Sequence, residues 1–200
     1  MGTTYANLSM SLDGYIAGPN VRVGNGMGDG GDRLHDWMFA GKSGEDVEAY
    51  LASQFSRVGA VVMGRTLLDV GIEPWGDDPV FHRPVFVVTH RSAPPIHKEG
   101  GTTYTFVTDG LVAALAMAHA VAGDNDVRVE GGATIVRQCL RAGLIDELRL
   151  HIVPIVLGGG TPLFVGPEDT SIDLAANGAV DDAGVTHLRL AAAPIPVAAG

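Results

Sequence analysis

Hydrophobic and polar positions change rhythm along the chain, and each rhythm predicts an element. Tyr5-Ala6-Asn7-Leu8-Ser9-Met10 alternates apolar with polar and reads as a strand. Val47, Tyr50, Leu51 and Phe55 recur at helical spacing, which predicts a helix over residues 44–57. Ala60-Val61-Val62-Met63 is a short unbroken apolar run, the pattern of a strand buried on both faces. Residues 66–70 suit a brief helix. Pro84–Val88 and Tyr104–Val107 are two more strands. Residues 109–122, rich in Ala and Leu, predict a helix with Asp109 as its cap. Val127-Arg128-Val129 is a strand, and Gly131-Gly132 is a turn. A helix follows over 133–142 and stops at Gly143. A long strand covers Leu148–Val153, and two shorter candidates lie near 171–176 and 184–191.

Strand–helix alternation comes first and antiparallel-looking strands come last. That order predicts an α/β fold, with a mixed, mostly parallel sheet flanked by helices on both faces. A length of 200 residues suits one domain, here residues 1–193, with a loose tail over 194–200. Residues 18–32 form a glycine-rich polar stretch. It reads either as a solvated surface loop or as a flap over a site, since long structureless loops are often lids.

Composition narrows the function. Hydrophobic residues make up 46% and charged ones 18%, so most of the chain folds. The formal net charge is −10, which argues against nucleic acid as a partner. An anionic ligand would need local cations and backbone N–H groups. The one cysteine, Cys139, excludes an intramolecular disulfide framework and sits in an apolar helical stretch as an inert core residue. No run reaches the roughly 18 apolar residues of a membrane span. The first residues lack a basic region followed by an apolar one, and Ala6 breaks a myristoylation match. A cytoplasmic location is the expectation.

Three strand exits carry phosphate-compatible chemistry. Val127-Arg128-Val129-Glu130-Gly131-Gly132-Ala133-Thr134 runs from a buried strand through two glycines into a helix. Helix starts expose unpaired N–H groups, and glycines let a phosphate approach the backbone. Val61-Val62-Met63-Gly64-Arg65-Thr66 ends a second strand with an arginine at the carboxyl edge, where open α/β sheets bind ligands. Val85-Phe86-Val87-Val88-Thr89-His90-Arg91 ends a third in a hydroxyl, an imidazole and a guanidinium. Each alone also fits an ordinary turn or polar exit. Together they require one geometric premise, that Arg65, Arg91 and Gly131-Gly132 share a rim.

The segment Asn7-Leu8-Ser9-Met10-Ser11-Leu12-Asp13-Gly14-Tyr15-Ile16-Ala17 resembles the opening of the reductase domain of the bifunctional riboflavin-biosynthesis deaminase–reductase. Met63-Gly64-Arg65-Thr66 is similar to the cofactor motif that this domain shares with dihydrofolate reductase. Glu130-Gly131-Gly132-Ala133-Thr134 resembles its glycine-pair motif. Leu144-Ile145-Asp146-Glu147-Leu148 and Pro154 to Gly160 resemble its closing signature. The resemblance implies a dihydrofolate-reductase-like fold and an NADPH site. Arg65, Thr66, Thr89 and Arg91 would hold the adenosine 2′-phosphate region, and Gly131, Gly132, Ala133 and Thr134 the pyrophosphate, with Gly64 also among the cofactor-binding residues. Asp13, Gly14 and Ile16 would lie near the nicotinamide. It also implies a homodimer through the C-terminal strands. The deaminase half is absent, because its zinc motif needs more than one cysteine.

The substrate end is less defined. Arg33-Leu34-His35-Asp36-Trp37-Met38-Phe39 falls where dihydrofolate reductase places its substrate helix. Asp36 then reads as a proton-relay carboxylate and Trp37 as a stacking surface, or else Trp37 packs the core with Asp36 in solvent. Glu130 reads as a pocket-floor or capping group. Asp146-Glu147 reads as structural, and His151 as a core or interface histidine. The substrate expectation is a ribosylaminopyrimidine, with dihydrofolate or another pterin and a non-catalytic NADPH-binding module as alternatives.

Overall fold

The computed structural model describes residues 2–41, 49, 53–165, 172–182 and 184–192. Most of the helix expected over 44–57 lies outside these residues, as does the tail at 194–200. Nine strands form one sheet in the order β10-β11-β8-β1-β7-β3-β4-β6-β5. They are β1 (Thr4–Ser11), β3 (Val58–Gly64), β4 (Pro84–Val88), β5 (Ile96–His97), β6 (Thr103–Val107), β7 (Asp126–Gly131), β8 (Glu147–Val153), β10 (Leu174–Asp182) and β11 (Val185–Ala192). The six strands from β8 to β6 run parallel, while β5, β11 and β10 join antiparallel. Three short strands lie outside the predicted pattern: β5 on the sheet edge, and β2 (Tyr15–Ala17) and β9 (Thr161–Pro162), which pair as a separate ribbon.

Strand alternation sorts side chains onto two faces. On one face Ala6, Val62, Phe86, Val127, Val129, Leu148 and Leu150 meet helices α3 (Leu111–Ala122) and α4 (Ala133–Arg141). Ala114, Ala118 and Ala122 recur every four residues and are buried, so α3 lies close on β3 and β4. On the other face Val61, Met63, Val85, Val87 and Tyr104 pack with Phe55, Phe81 and Leu68 of α2 (Arg65–Gly71). Burying one such Val, Leu or Phe side chain contributes about 1.5–3 kcal/mol. A third cluster joins Leu34 and Trp37 of α1 (Asp36–Phe39) and the turn before it to Val153 and Val185.

Helix ends follow the sequence with one correction. The cap of α3 is Gly110, with φ 89°, and Asp109 makes no capping bond. At the end of α4 the expected stop is present. Gly143 takes φ 62°, its N–H bonds Leu140 O, and Leu144 N–H bonds Cys139 O at 2.8 Å. This paired closure satisfies two carbonyls left open by the helix, and glycine supplies the left-handed backbone it needs.

Residues 18–31 are built on their own hydrogen bonds. Gly18 N–H bonds Met27 O, and Asp29 N–H bonds Pro19 O. The Asp29 carboxylate accepts from the amides of Asn20 and Asn25 at 2.7 and 2.9 Å. Among the described residues no helix is long and apolar enough to cross a membrane.

Candidate functional site

Parallel register brings the strand ends together. Met63 pairs with Gly131, Gly64 with Val88, and Val88 with Val107. The exits of β3, β4 and β7 therefore open on one rim, as the premise on Arg65, Arg91 and the glycine pair requires. They border a cleft of about 1170 Å³. Pockets for one drug-sized ligand run to about 1,000 Å³, so this volume suits a dinucleotide with a second small molecule beside it.

One half of the cleft is lined by Gly64, Arg65, Thr66, Thr89, His90, Arg91, Gly132, Ala133 and Thr134. Gly132 caps α4 in extended conformation, and no acidic residue occupies the first turn of that helix. The leading N–H groups and the helix dipole there favour an anion. A Cβ added to Gly132 would meet no atom within 4 Å, so it would project into open space. That is the space a phosphate would take, and the residues present fit a dinucleotide. Arg65 Nε pairs with Asp69 Oδ1 at 2.6 Å, and its guanidinium lies 5.2 Å from the Phe106 ring centre. The backbone N–H of exposed Arg91 bonds Thr89 Oγ1.

The other half is floored by the sheet face that turns polar on β1, β7 and β8. Asn7, Ser9, Arg128, Glu130 and His151 line it, with Ile16, Met27, His35 and Trp37 as walls. Arg128 Nη2 donates to Glu130 Oε1 at 3.0 Å, and its guanidinium stacks over Phe55. Burial lowers the His35 pKa below the ordinary imidazole value, against the pull of Asp32 and Asp36. Burial also lowers His151, with His187 and Arg128 adding to it, to about 3.

Some of the expected residues sit elsewhere. Asp13 does not line the cleft. Its carboxylate accepts from Ser11 Oγ at 2.6 Å, Leu157 N–H at 3.1 Å and Gly158 N–H at 2.7 Å, tying the β1–β2 turn to the loop after β8. Gly14 belongs to the same turn, and Leu163 N–H bonds its carbonyl. Gly131 lies in β7 just behind the lining, with φ 116°. Asp36 is exposed on the first turn of α1 and is not brought to the cleft. Trp37 does reach it, but buried at 8% exposure, with Nε1–H on Ser9 Oγ and its ring packed on two histidines.

Asn7, His35, Arg128 and Arg137 were not singled out by sequence reasoning. Asn7 and Arg128 carry a signal in hindsight, since a polar residue inside a buried strand must face something polar. Arg137 donates to the carbonyls of Pro162 and Leu163, fastening α4 to β9.

A mostly parallel α/β sheet with a two-part cleft at its carboxyl edge defines the class of protein. The chain belongs to the RibD C-terminal domain family, a reductase family of riboflavin biosynthesis, whose profile matches residues 3–188. It is 25% identical over 165 residues to the uncharacterized protein YyaP of Bacillus subtilis (strain 168), covering 80% of this chain and 78% of that one. It is 26% identical over 168 residues to YwjB of the same organism, covering 80% and 82%. Among solved structures it is similar to a putative riboflavin biosynthesis protein from Shewanella sp. PV-4. There the TM-score is 0.71 and the identity 25%, over 96% of this chain and 99% of that one. The fold is shared with RibD of Acinetobacter baumannii, at TM-score 0.62 and 18% identity, over 97% of this chain and 59% of that one.

Proposed function

We propose that this protein is an NADPH-dependent reductase acting on an aminopyrimidine, similar in reaction to 5-amino-6-(5-phosphoribosylamino)uracil reductase. One observation carries the reading. Three parallel strands deliver Arg65, Arg91 and the Gly132–Thr134 amides to a single rim, beside a separate polar floor.

NADPH, when bound, supplies the hydride. Arg65, Thr66, Thr89 and Arg91 hold its 2′-phosphate region through charge-assisted hydrogen bonds. Gly132, Ala133 and Thr134 hold the pyrophosphate at the start of α4. Gly64 borders the cofactor at the end of its strand, and Gly131 ends β7 just behind it. Ile16 borders the nicotinamide side, and Asp13 and Gly14 fix the turn that presents it. Met27 and Trp37 exclude water from the polar floor, where the substrate ring lies. Trp37 acts as a packed wall in this reading.

The edge strand β10 is exposed along residues 175–182, with Val180 at 64% exposure. An open edge of this kind is a natural pairing surface, and the proposal has two copies meet through β10 and β11. Sedimentation at micromolar concentration checks it, a single monomer boundary being the contrary result.

The enzymatic reading is tested by NADPH oxidation at the nicotinamide absorbance, with the deaminated ribosylaminopyrimidine as substrate. Turnover with the pyrimidine and none with dihydrofolate is the expected result. Cofactor binding without turnover on either would reduce the protein to a nucleotide-binding module.

A further inference from the structure

The polar floor holds a histidine pair that the proposed reaction has not used. Register places His151 of β8 opposite His187 of β11. Their Nδ1 atoms are 2.6 Å apart. On its other side His151 Nε2 is 2.8 Å from Oδ1 of Asn7 on β1. The Trp37 ring covers both imidazoles at centroid distances of 4.8 and 4.9 Å. Asn7 and His151 line the cleft, and His187 lies behind them.

Hydrogen-bond chemistry gives this chain one polarity. An amide oxygen only accepts, so His151 Nε2 carries a proton. Two facing ring nitrogens share one proton, because two N–H groups or two lone pairs repel. A neutral His151 has its lone pair at Nδ1, and His187 Nδ1–H fills it. Charging His151 would set two N–H groups against each other. The surroundings oppose that charge as well. Burial disfavours it first, and then His187 on β11, Arg128 on β7, His35 before α1 and Arg149 on β8. Two carboxylates on the neighbouring strands are paired with cations, Glu130 with Arg128 and Glu147 with Arg149. Asp32 and Asp36 act on His35.

We propose that His151 and His187 are positioning residues that lock Asn7 with its NH₂ edge toward the cleft, so that Asn7 donates to a ring carbonyl of the substrate. The Asn7 amide bonds His151 through Oδ1, which leaves Nδ2 as the donor edge. Turning the amide over would face its NH₂ against the His151 N–H. The ligand class is a lactam-bearing heterocycle, and in this the inference rests on the reductase reading above.

Two measurements on the whole protein test it. Long-range ¹⁵N–¹H spectra near pH 7 report the tautomers without any substrate. The expected result is a proton on Nε2 alone for His151 and on Nδ1 for His187. A proton on His151 Nδ1 overturns the proposal. The second measurement is calorimetric binding of 5,6-diaminouracil to NADPH-loaded protein. His151→Glu offers Asn7 only acceptors and turns the amide round, so affinity falls by about tenfold or more. His151→Gln donates to Asn7 and accepts from His187, so it restores affinity to within about threefold of wild type. NADPH affinity, equal in all three, reports intact folding. Equal diaminouracil binding by the Glu and Gln variants overturns the positioning role. Wild-type protein that takes NADPH but not the diaminouracil overturns Asn7 as a carbonyl donor. Failure to bind NADPH removes the reductase reading alone, and the tautomers still decide the polarity of the chain.

Discussion

Arg65 reaches forward one helical turn to Asp69, with Nε 2.6 Å from Oδ1, while its guanidinium faces the Phe106 ring. The arginine is thus held in place at the rim before any ligand arrives, and its charge is partly answered by Asp69. Arg65→Ala should weaken NADPH by about 10–100-fold, the value of one or two hydrogen bonds to a charged group, and barely affect NADH. Asp69→Asn should tighten NADPH a few-fold by removing the competing anion. Fluorescence titration with both cofactors measures this, and equal losses for NADPH and NADH would remove Arg65 from the 2′-phosphate.

Gly132 offers a cleaner steric test. Its φ of −74° suits any residue, and an added Cβ meets open space. Gly132→Ala should leave the melting temperature within a few degrees, as a change that creates no clash or cavity typically shifts stability by about 0.5 kcal/mol or less. NADPH affinity should fall by at least about tenfold, because the side chain fills the phosphate's place. Calorimetric melting and cofactor titration on the same sample separate the two effects.

Asp13 predicts a pH dependence. The Ser11 hydroxyl first, then the Gly158 and Leu157 amides, hold its carboxyl below the ordinary aspartate value. A folded pKa below the unfolded one means the proton binds the unfolded chain more readily. The stabilisation is therefore complete above the unfolded value of about 3.9 and fades as pH falls through the lower folded pKa. Asp13→Asn should be less stable than wild type at neutral pH, and the two denaturation midpoints should converge in acid. A gap that stays constant down to the lowest pH would contradict this account.

Cys139 is fully buried, and burial pushes its thiol up to about 12. A buried neutral thiol is a poor nucleophile. Native protein should show no reaction with a disulfide reagent on the minutes scale, and one equivalent should react after denaturation. Rapid labelling of native protein would mean that α4 opens readily from the sheet.

The fold was legible because burial writes itself into alternation and spacing. Val61 to Met63 and Val85 to Val87 lie buried on both faces and read as strands from their apolar runs alone. Three strand exits point to one rim in the sequence itself, since parallel strands of one sheet share a carboxyl edge. The polar floor was harder to see. In the sequence His151 reads as a core or interface histidine, because its partners, Asn7 and His187, stand 144 and 36 positions away in the chain. The family resemblance puts Asp13 near the nicotinamide, while its bonds to Leu157 and Gly158 reach equally far along the chain. Asp109 failed as a cap because Gly110 enters the helix with a backbone open mainly to glycine.

The polar floor is drawn from every second residue of strands whose other residues fill the opposite core. Asn7 and Ser9 alternate with Ala6 and Leu8, and Arg149 and His151 with Leu148 and Leu150. A one-step slip of β8 against β1 would send leucines into the cleft and a guanidinium and an imidazole into the apolar interior. Misfolding of this sheet and loss of its binding surface would be the same event. No register shift of β8 could keep a native-like body around a scrambled floor.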